Sequence, residues 1–316
     1  MHDVLAQVWR NDLVESVHHG SLVALDGDGS VAFAIGEPDA VMYPRSSAKP
    51  LQATAMVRNG LGLKDELLAL ACASHPGEDF HVDGARRILA GAGLTPDDLQ
   101  CPPALPSHEP SRVALLAAGT EPAPLYMNCS GKHAAMLATA VANDWPTATY
   151  RDLDHPLQVA IRETIEELSG ERVAHVGVDG CGAPLFGYAL TGLARAFRQV
   201  GMAADGTEAH RVRMAMNTFP EWVGGTGSDV AALMRALPGA VAKNGAEGVH
   251  AIGLPDGRAV ALKIADGSPR ARSVVMVAAL RRVGVDAPGF AELAEVPVLG
   301  HGEPVGAIVA SPAVIG

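Results

Sequence analysis

Residues 43–52 read YPRSSAKPLQ, and the residue pattern changes across them. Before this stretch apolar and polar residues alternate, in SLVALDGDG and SVAFAIG, with a DGDG turn between them. That is the pattern of a β-hairpin. After it the apolar spacing becomes helical, in LQATAMVRNGLG, KDELLALACAS, FHVDGARRILAGAG and SRVALLAAGT, each run closing near a glycine or a Gly/Pro cluster. Proline fits a helix only in its first turn, where the N–H groups have no partner anyway. Pro50 therefore places a helix start near Ser46 and Ser47.

Working outward, KHAAMLATAVAND and DHPLQVAIRETIEELSG read as helices, with Pro156 in a first turn. ERVAHVGVDGCG reads as a short buried strand entering a glycine turn, and helices follow around LFGYALTGLARAFRQ and AHRVRMAMNTF. Strands return from about residue 239, in GAVAKNG, GVHAIGLPDG and RAVALKIADG. SPRARSVVMVAALRRVG is the final helix and PVGAIVA a late strand. The expected architecture is α/β in a single domain: a mainly antiparallel sheet from both chain ends, about 1–45 and 239–316, with a largely helical lobe, about 46–238, inserted between them.

Hydrophobic residues make up 48% of the 316, enough for a sizeable core, and the net charge is −11 with no basic run. That balance argues against a nucleic-acid surface. The first twenty residues carry Asp, Arg and Glu too early for a signal peptide, and the most apolar segments are too short to span a bilayer. A soluble cytoplasmic protein without membrane partners is the expectation. The four cysteines, Cys72, Cys101, Cys129 and Cys181, then read as reduced thiols or thiolate ligands.

Chemistry concentrates in five places. Ser46 sits at a helix N-terminus, with Lys49 three residues on and on the same face. A neutral Lys49 amine is placed to take the Ser46 proton. Ser47 would put Lys49 on the wrong side of the helix. Lysine titrates near 10.4, so a base working at pH 7–8 needs a depression of roughly three units, about 4 kcal/mol. The plain alternative is a serine cap followed by an exposed lysine. In ACASHPGED, Ser74 is a relay hydroxyl or part of a helix terminator. MNCSGKHAAMLATA gathers Asn128, Cys129, Ser130, Lys132 and His133 at one helix start, where Asn128 or Ser130 also suits a cap. VGVDGCGAP ends a strand in Asp179 and Cys181 between glycines. Cys129 and Cys181 lack the tight spacing of a structural zinc site and read, on spacing alone, as small buried cysteines. Lys263 of RAVALKIADG is a solvent-facing strand lysine, or else it faces Lys49, each amine depressing the other.

Taken in order, YPRSSAKPLQA, CASHPGEDFHV, NCSGKHAAMLA, DGCGAP, GAEGV and ALKIADG resemble the asparaginase II family, the group of a rhizobial L-asparaginase, over about residues 5 to 310. The resemblance implies a serine β-lactamase/penicillin-binding-protein-like fold, a homodimer, and hydrolysis of L-asparagine to aspartate and ammonia. It implies two Ser-Lys tandems, Ser46 with Lys49 and Ser74 with Lys263. It implies zinc on Cys129, Lys132 and Cys181, shaping the pocket and tuning affinity without supplying the nucleophile. Arg45, His133 and Asp179 would meet the substrate. One departure lies at CPPALPSHEP, where the family's shorter turn is altered. The rival readings are another Ser-Lys amidohydrolase (a glutaminase, or a β-lactamase or peptidase, against which the missing K-T-G motif speaks) and a non-catalytic zinc or amino-acid binding protein.

Overall fold

The computed structural model describes residues 2–316. Its strands are β1 (Asp3–Arg10), β2 (Leu13–Leu25), β3 (Val31–Ile35), β4 (Val41–Met42), β5 (His175–Val178), β6 (Pro184–Ala189), β7 (Val241–Asn244), β8 (Val249–Gly253), β9 (Ala259–Ile264), β10 (Val296–Gly300) and β11 (Glu303–Ala310). Eight of them form one antiparallel sheet in the order β10-β11-β1-β2-β9-β8-β7, with β3 also paired to β2. Both chain ends therefore build the same sheet, as expected. The hinge of the arrangement is β2. Its first half pairs with β1, its second half with β3, and β9 takes the opposite edge from Gly20 to Leu25. The DGDG turn joins β2 to β3, with Gly29 at φ +91 supplying a left-handed residue that a side chain would resist.

Between β4 and β7 the chain is mostly helical. The helix Lys49–Arg58 has Pro50 in its first turn, and its first nine residues are all buried. A helix buried on every side belongs at the centre of its lobe. It packs against the helices Ser130–Ala142, Pro156–Ser169 and Glu208–Thr218. Truncating a side chain such as Leu51 here would cost about 2–5 kcal/mol.

Two expectations for the lobe need correction. LFGYA is a strand: β6 is buried at all six positions, and the following helix starts only at Leu190. A strand covered on both faces loses its alternation, so periodicity cannot separate it from a buried helix. The preceding strand, β5, exposes three of its four residues instead of being buried. It forms the edge of a small sheet, β4-β6-β5, so only one side of it is covered. Among the described residues no helix is long and apolar enough to cross a membrane.

The two parts meet where the turn Arg45–Ala48 lies against β7 and β8. Gly245, just beyond β7, makes that approach possible: a Cβ there would sit 2.6 Å from the Pro44 carbonyl oxygen. The sheet edge and the start of the central helix are thereby held in contact.

Candidate active site

The turn before the central helix presents its two serines differently. The Ser47 hydroxyl is fully buried and donates to the Pro44 carbonyl at 2.6 Å, which locks the turn. Ser46 is half-buried, lines an open cleft of about 350 Å³, and its hydroxyl makes no hydrogen bond to any described residue. Arg45 before it has φ +53, a conformation that costs a non-glycine residue about 1–2 kcal/mol and marks a backbone held for a purpose.

Lys49 is 1% exposed, not the surface lysine of the plain alternative. Its Nζ donates to the Ala73 carbonyl, to Ser74 Oγ at 3.0 Å and to Cys129 Sγ at 3.1 Å. It makes no hydrogen bond to Ser46. Instead the Ser74 hydroxyl is gripped from two sides, because Lys243 Nζ also lies 3.0 Å from it. Ser74 follows a short helix that ends at Ala71; its N–H donates to the Val223 carbonyl, and the N–H of His75 after it donates to the Asn128 carbonyl. The altered segment Cys101–Pro110 braces the same turn, since the His108 N–H donates to the Pro76 carbonyl at 2.9 Å.

The strand amine beside Ser74 is thus that of Lys243, not of Lys263. Lys263 lies on β9, half-buried, and its Nζ donates to the carbonyls of Glu247 and Ile264. It is pinned along its own strand and the neighbouring loop, away from Ser74. Lys243 on β7 is 0% exposed, and burial first, then the neighbouring Lys49, hold its amine well below the usual lysine range. Sequence reading passed over it. GAVAKNG was legible as a strand, but a lysine in an alternating strand faces water as often as it faces another amine. The one available sign was its place at a strand end directly before Asn244-Gly245, where K-T-G stands in serine β-lactamases.

Cys129, Lys132 and Cys181 do converge. Lys132 Nζ is 3.1 Å from Cys181 Sγ, Cys129 Sγ is 3.2 Å from Asn128 Oδ1, and Cys181 Sγ is 3.7 Å from Asp179 Oδ2. The neighbouring Cys181, with Lys49 and Lys132, holds Cys129 well below the usual thiol range against its burial, while Cys129 and burial push Cys181 up. Burial would lower the Lys132 amine, but the two sulfurs outweigh it and raise it. All four cysteines are free and buried. Among the described residues no three His, Cys, Asp or Glu side chains converge as a metal cluster. The two sulfurs suit a thiophilic divalent cation, and Lys132, held charged here, joins them as a donor only after losing its proton.

His133 is fully buried beside the sulfurs and, like Arg45 and Asp179, is not among the residues that line the cleft. The Tyr150 hydroxyl accepts from the Gln100 N–H and pairs with His133 Nδ1 at 2.7 Å. His133 Nε2 then carries the proton and faces Cys181 without reaching hydrogen-bond geometry. Burial pushes this imidazole down to about 4, so it stays neutral. Arg45 and Asp179 do come together, with Nε donating to Oδ1 at 2.8 Å, and Arg45 reaches toward Glu247 at 3.8 Å. Burial would raise Asp179, but Lys132, the Gly180 N–H and Arg45 outweigh it and hold the carboxylate charged.

An S-x-x-K turn, a second serine and a strand lysine around one cleft are the equipment of a serine–lysine amidohydrolase. The chain belongs to the L-asparaginase II family, which it matches over residues 6–310. A sequence search among curated proteins returned no significant match. Among solved structures the chain is similar to a β-lactamase from Mycobacterium bovis (13% identity, 84% of this chain and 95% of that one, TM-score 0.45). It is also similar to Mglu in its native form (14%, 87% and 63%, 0.45) and to EstCE1, a hydrolase with promiscuous acyltransferase activity (15%, 78% and 88%, 0.39). These are distant likenesses. The family assignment rests on the sequence match.

Proposed function

We propose that the chain is an L-asparagine amidohydrolase that works through an acyl-enzyme on Ser46. The observation that carries this reading is the Ser74 hydroxyl between two buried amines, Lys49 and Lys243, at the cleft that Ser46 also lines. Ser46 Oγ attacks the side-chain amide carbon and forms the C–O bond. Its proton passes to Ser74 Oγ as the Ser74 proton passes to the neutral Lys243. The base in this scheme is Lys243, whose charged form is disfavoured by burial and by the neighbouring Lys49.

Collapse of the tetrahedral adduct breaks the C–N bond. Lys243 returns the proton through Ser74, and ammonia leaves. Water, delivering its proton along the same route, then hydrolyses the ester to aspartate and frees Ser46. Backbone N–H groups of the Arg45–Ala48 turn are placed to hold the oxyanion, where losing one donor typically costs about 3 kcal/mol. The substrate α-ammonium meets Asp179 and its α-carboxylate meets Arg45, whose ion pair is already assembled at 2.8 Å.

Cys129, Cys181 and Lys132 would hold zinc once Lys132 gives up its proton. There the metal would supply fixed positive charge that ties the segments around 129 and 181 together. This places no demand on it as a source of nucleophile.

The test is ammonia release from asparagine and glutamine, and ring opening of a β-lactam, by wild type and Ser46→Ala, with mass spectrometry of the quenched enzyme. An aspartyl adduct on the Ser46 peptide and an inactive Ser46→Ala variant are expected. An active Ser46→Ala variant, or an adduct on the Ser74 peptide, would overturn the assignment.

A further inference from the structure

Lys243 has three polar neighbours, and two belong to one residue. Its Nζ lies 2.8 Å from the Asn244 carbonyl oxygen, 3.0 Å from Asn244 Oδ1 and 3.0 Å from Ser74 Oγ. A neutral amine has two N–H donors and one lone pair. If both donors go to Asn244, the lone pair is left facing the Ser74 hydroxyl, as a base requires. The other end of the same side chain is also engaged, since Asn244 Nδ2 donates to Asp229 Oδ1 at 3.0 Å. The second Asp229 oxygen lies 3.5 Å from Arg272 Nη2, and Arg272 Nη1 donates to the Gly245 carbonyl at 3.1 Å. The amide therefore stands between the one nearby carboxylate and the amine.

Resting on the reading of Lys243 as the base, we propose that Asn244 is its positioning residue: the amide oxygen aims the Lys243 lone pair at Ser74, and the amide nitrogen keeps the Asp229 carboxylate off the amine. The surroundings make that insulation necessary. Lys243 faces Lys49 from the central helix, Cys129 from the start of the helix Ser130–Ala142, Asp229 from the helix Asp229–Ala236 and Arg272 from the helix Arg272–Arg282. Cys72 and His250 of β8 are also within its field. Asp229 and the Cys129 sulfur are the neighbours that favour a charged amine, and Asn244 separates it from the first. A carboxylate in place of the amide would touch the amine directly and fill its lone pair with a proton.

The experiment follows lysine side-chain NMR in ¹³Cε-labelled protein, with the Lys243 signal assigned through Lys243→Arg. In Asn244→Asp the Lys243 titration is expected to move upward by at least about one unit. The acid limb of kcat on asparagine should move to higher pH with it, while KM changes by less than about threefold. An unmoved Lys243 titration overturns the proposal, whether or not any amide is hydrolysed. A moved titration in a protein that releases no ammonia supports the positioning role and refutes the amidohydrolase reading. Asn244→Ala adds no charge to the interior and guards against a misfolded aspartate variant. It should lower kcat about tenfold at unchanged KM, and a wild-type kcat there would also overturn the proposal.

Discussion

Two lysines on one sheet make opposite use of nearly the same local sequence. Lys243 ends V-A-K on β7 and Lys263 sits in A-L-K-I on β9. The strand between them pairs with both, Lys243 opposite Ala251 and Lys263 opposite Val249. Yet Lys243 is sealed against Ser74 and Lys49, while Lys263 reaches two backbone carbonyls at a half-open rim. Burial lowers both amines, but for Lys263 the charges of Glu247 and Asp266 work against it. For Lys243 a second amine adds to the effect. Whether a strand lysine becomes a base depends on what the sheet face meets, and that is set by a helix folded from residues far away in the chain.

The largest effect should come from exchanging each lysine for methionine. Lys243→Met removes the base and is expected to lower kcat about 10³-fold or more, whereas Lys263→Met should leave it within about threefold. Steady-state ammonia release decides this, and equal losses would break the contrast. Stability should move the other way. An amine kept neutral in the folded state and protonated in the unfolded one makes the unfolded chain bind more protons, so its cost is greatest at low pH and vanishes toward the free value near 10.4. Lys243→Met should therefore raise the melting temperature at pH 7, with its advantage shrinking by about 1.4 kcal/mol per pH unit as the solution is made alkaline. Calorimetry across pH 7–10 reads both.

Next comes the shared hydroxyl. Ser74→Ala should lower kcat about 10²–10³-fold with little change in KM, because it cuts the proton path without touching Arg45 or Asp179. Ser74→Thr keeps an oxygen between the amines and should recover part of the loss. A Ser74→Ala enzyme as active as wild type would mean that Ser46 gives its proton elsewhere.

The contrast also shows how far the sequence could be read. The sheet from both chain ends was legible because alternation and turn residues are local, and Pro50 announced the start of the central helix. Ser46, Lys49 and Ser74 were legible as a serine–lysine arrangement, and the approach of Cys129 to Lys132 and Cys181 followed the resemblance to the family. The identity of the second lysine was not legible, since it depends on Gly245 letting β7 close on the Pro44–Ser47 turn. The depth of His133 was not legible for a related reason. A polar residue one helical step beyond a cluster can back that cluster as well as face the substrate, and here Tyr150, seventeen residues on, draws it inward.

A smaller effect is expected from the sulfur pair. On the proposal that the sulfurs hold zinc, a chelator, like Cys181→Ser, should weaken asparagine binding about ten- to a hundredfold while leaving kcat within a few fold. The reasoning is that Cys181 is two residues from Asp179, so loss of the tie at the sulfur loosens the carboxylate that meets the α-ammonium. A fall in kcat with KM unchanged would place the metal in the chemical step and contradict the role given to Lys243.

The smallest effect is at Lys263 itself, and it tests the other half of the comparison. Its ammonium bridges the carbonyls of Glu247 and Ile264, and Glu247 stands at φ +58 in the loop that borders the cleft. Lys263→Met should leave those carbonyls to water and cost about 1 kcal/mol of stability, the ordinary worth of such hydrogen bonds. Because the loop also carries the Glu247 carboxylate toward Arg45, KM for asparagine should rise about two- to threefold with kcat and its pH profile unmoved. A shifted acid limb in Lys263→Met would show that this amine senses the proton relay after all, and the division of labour between the two strands would fail.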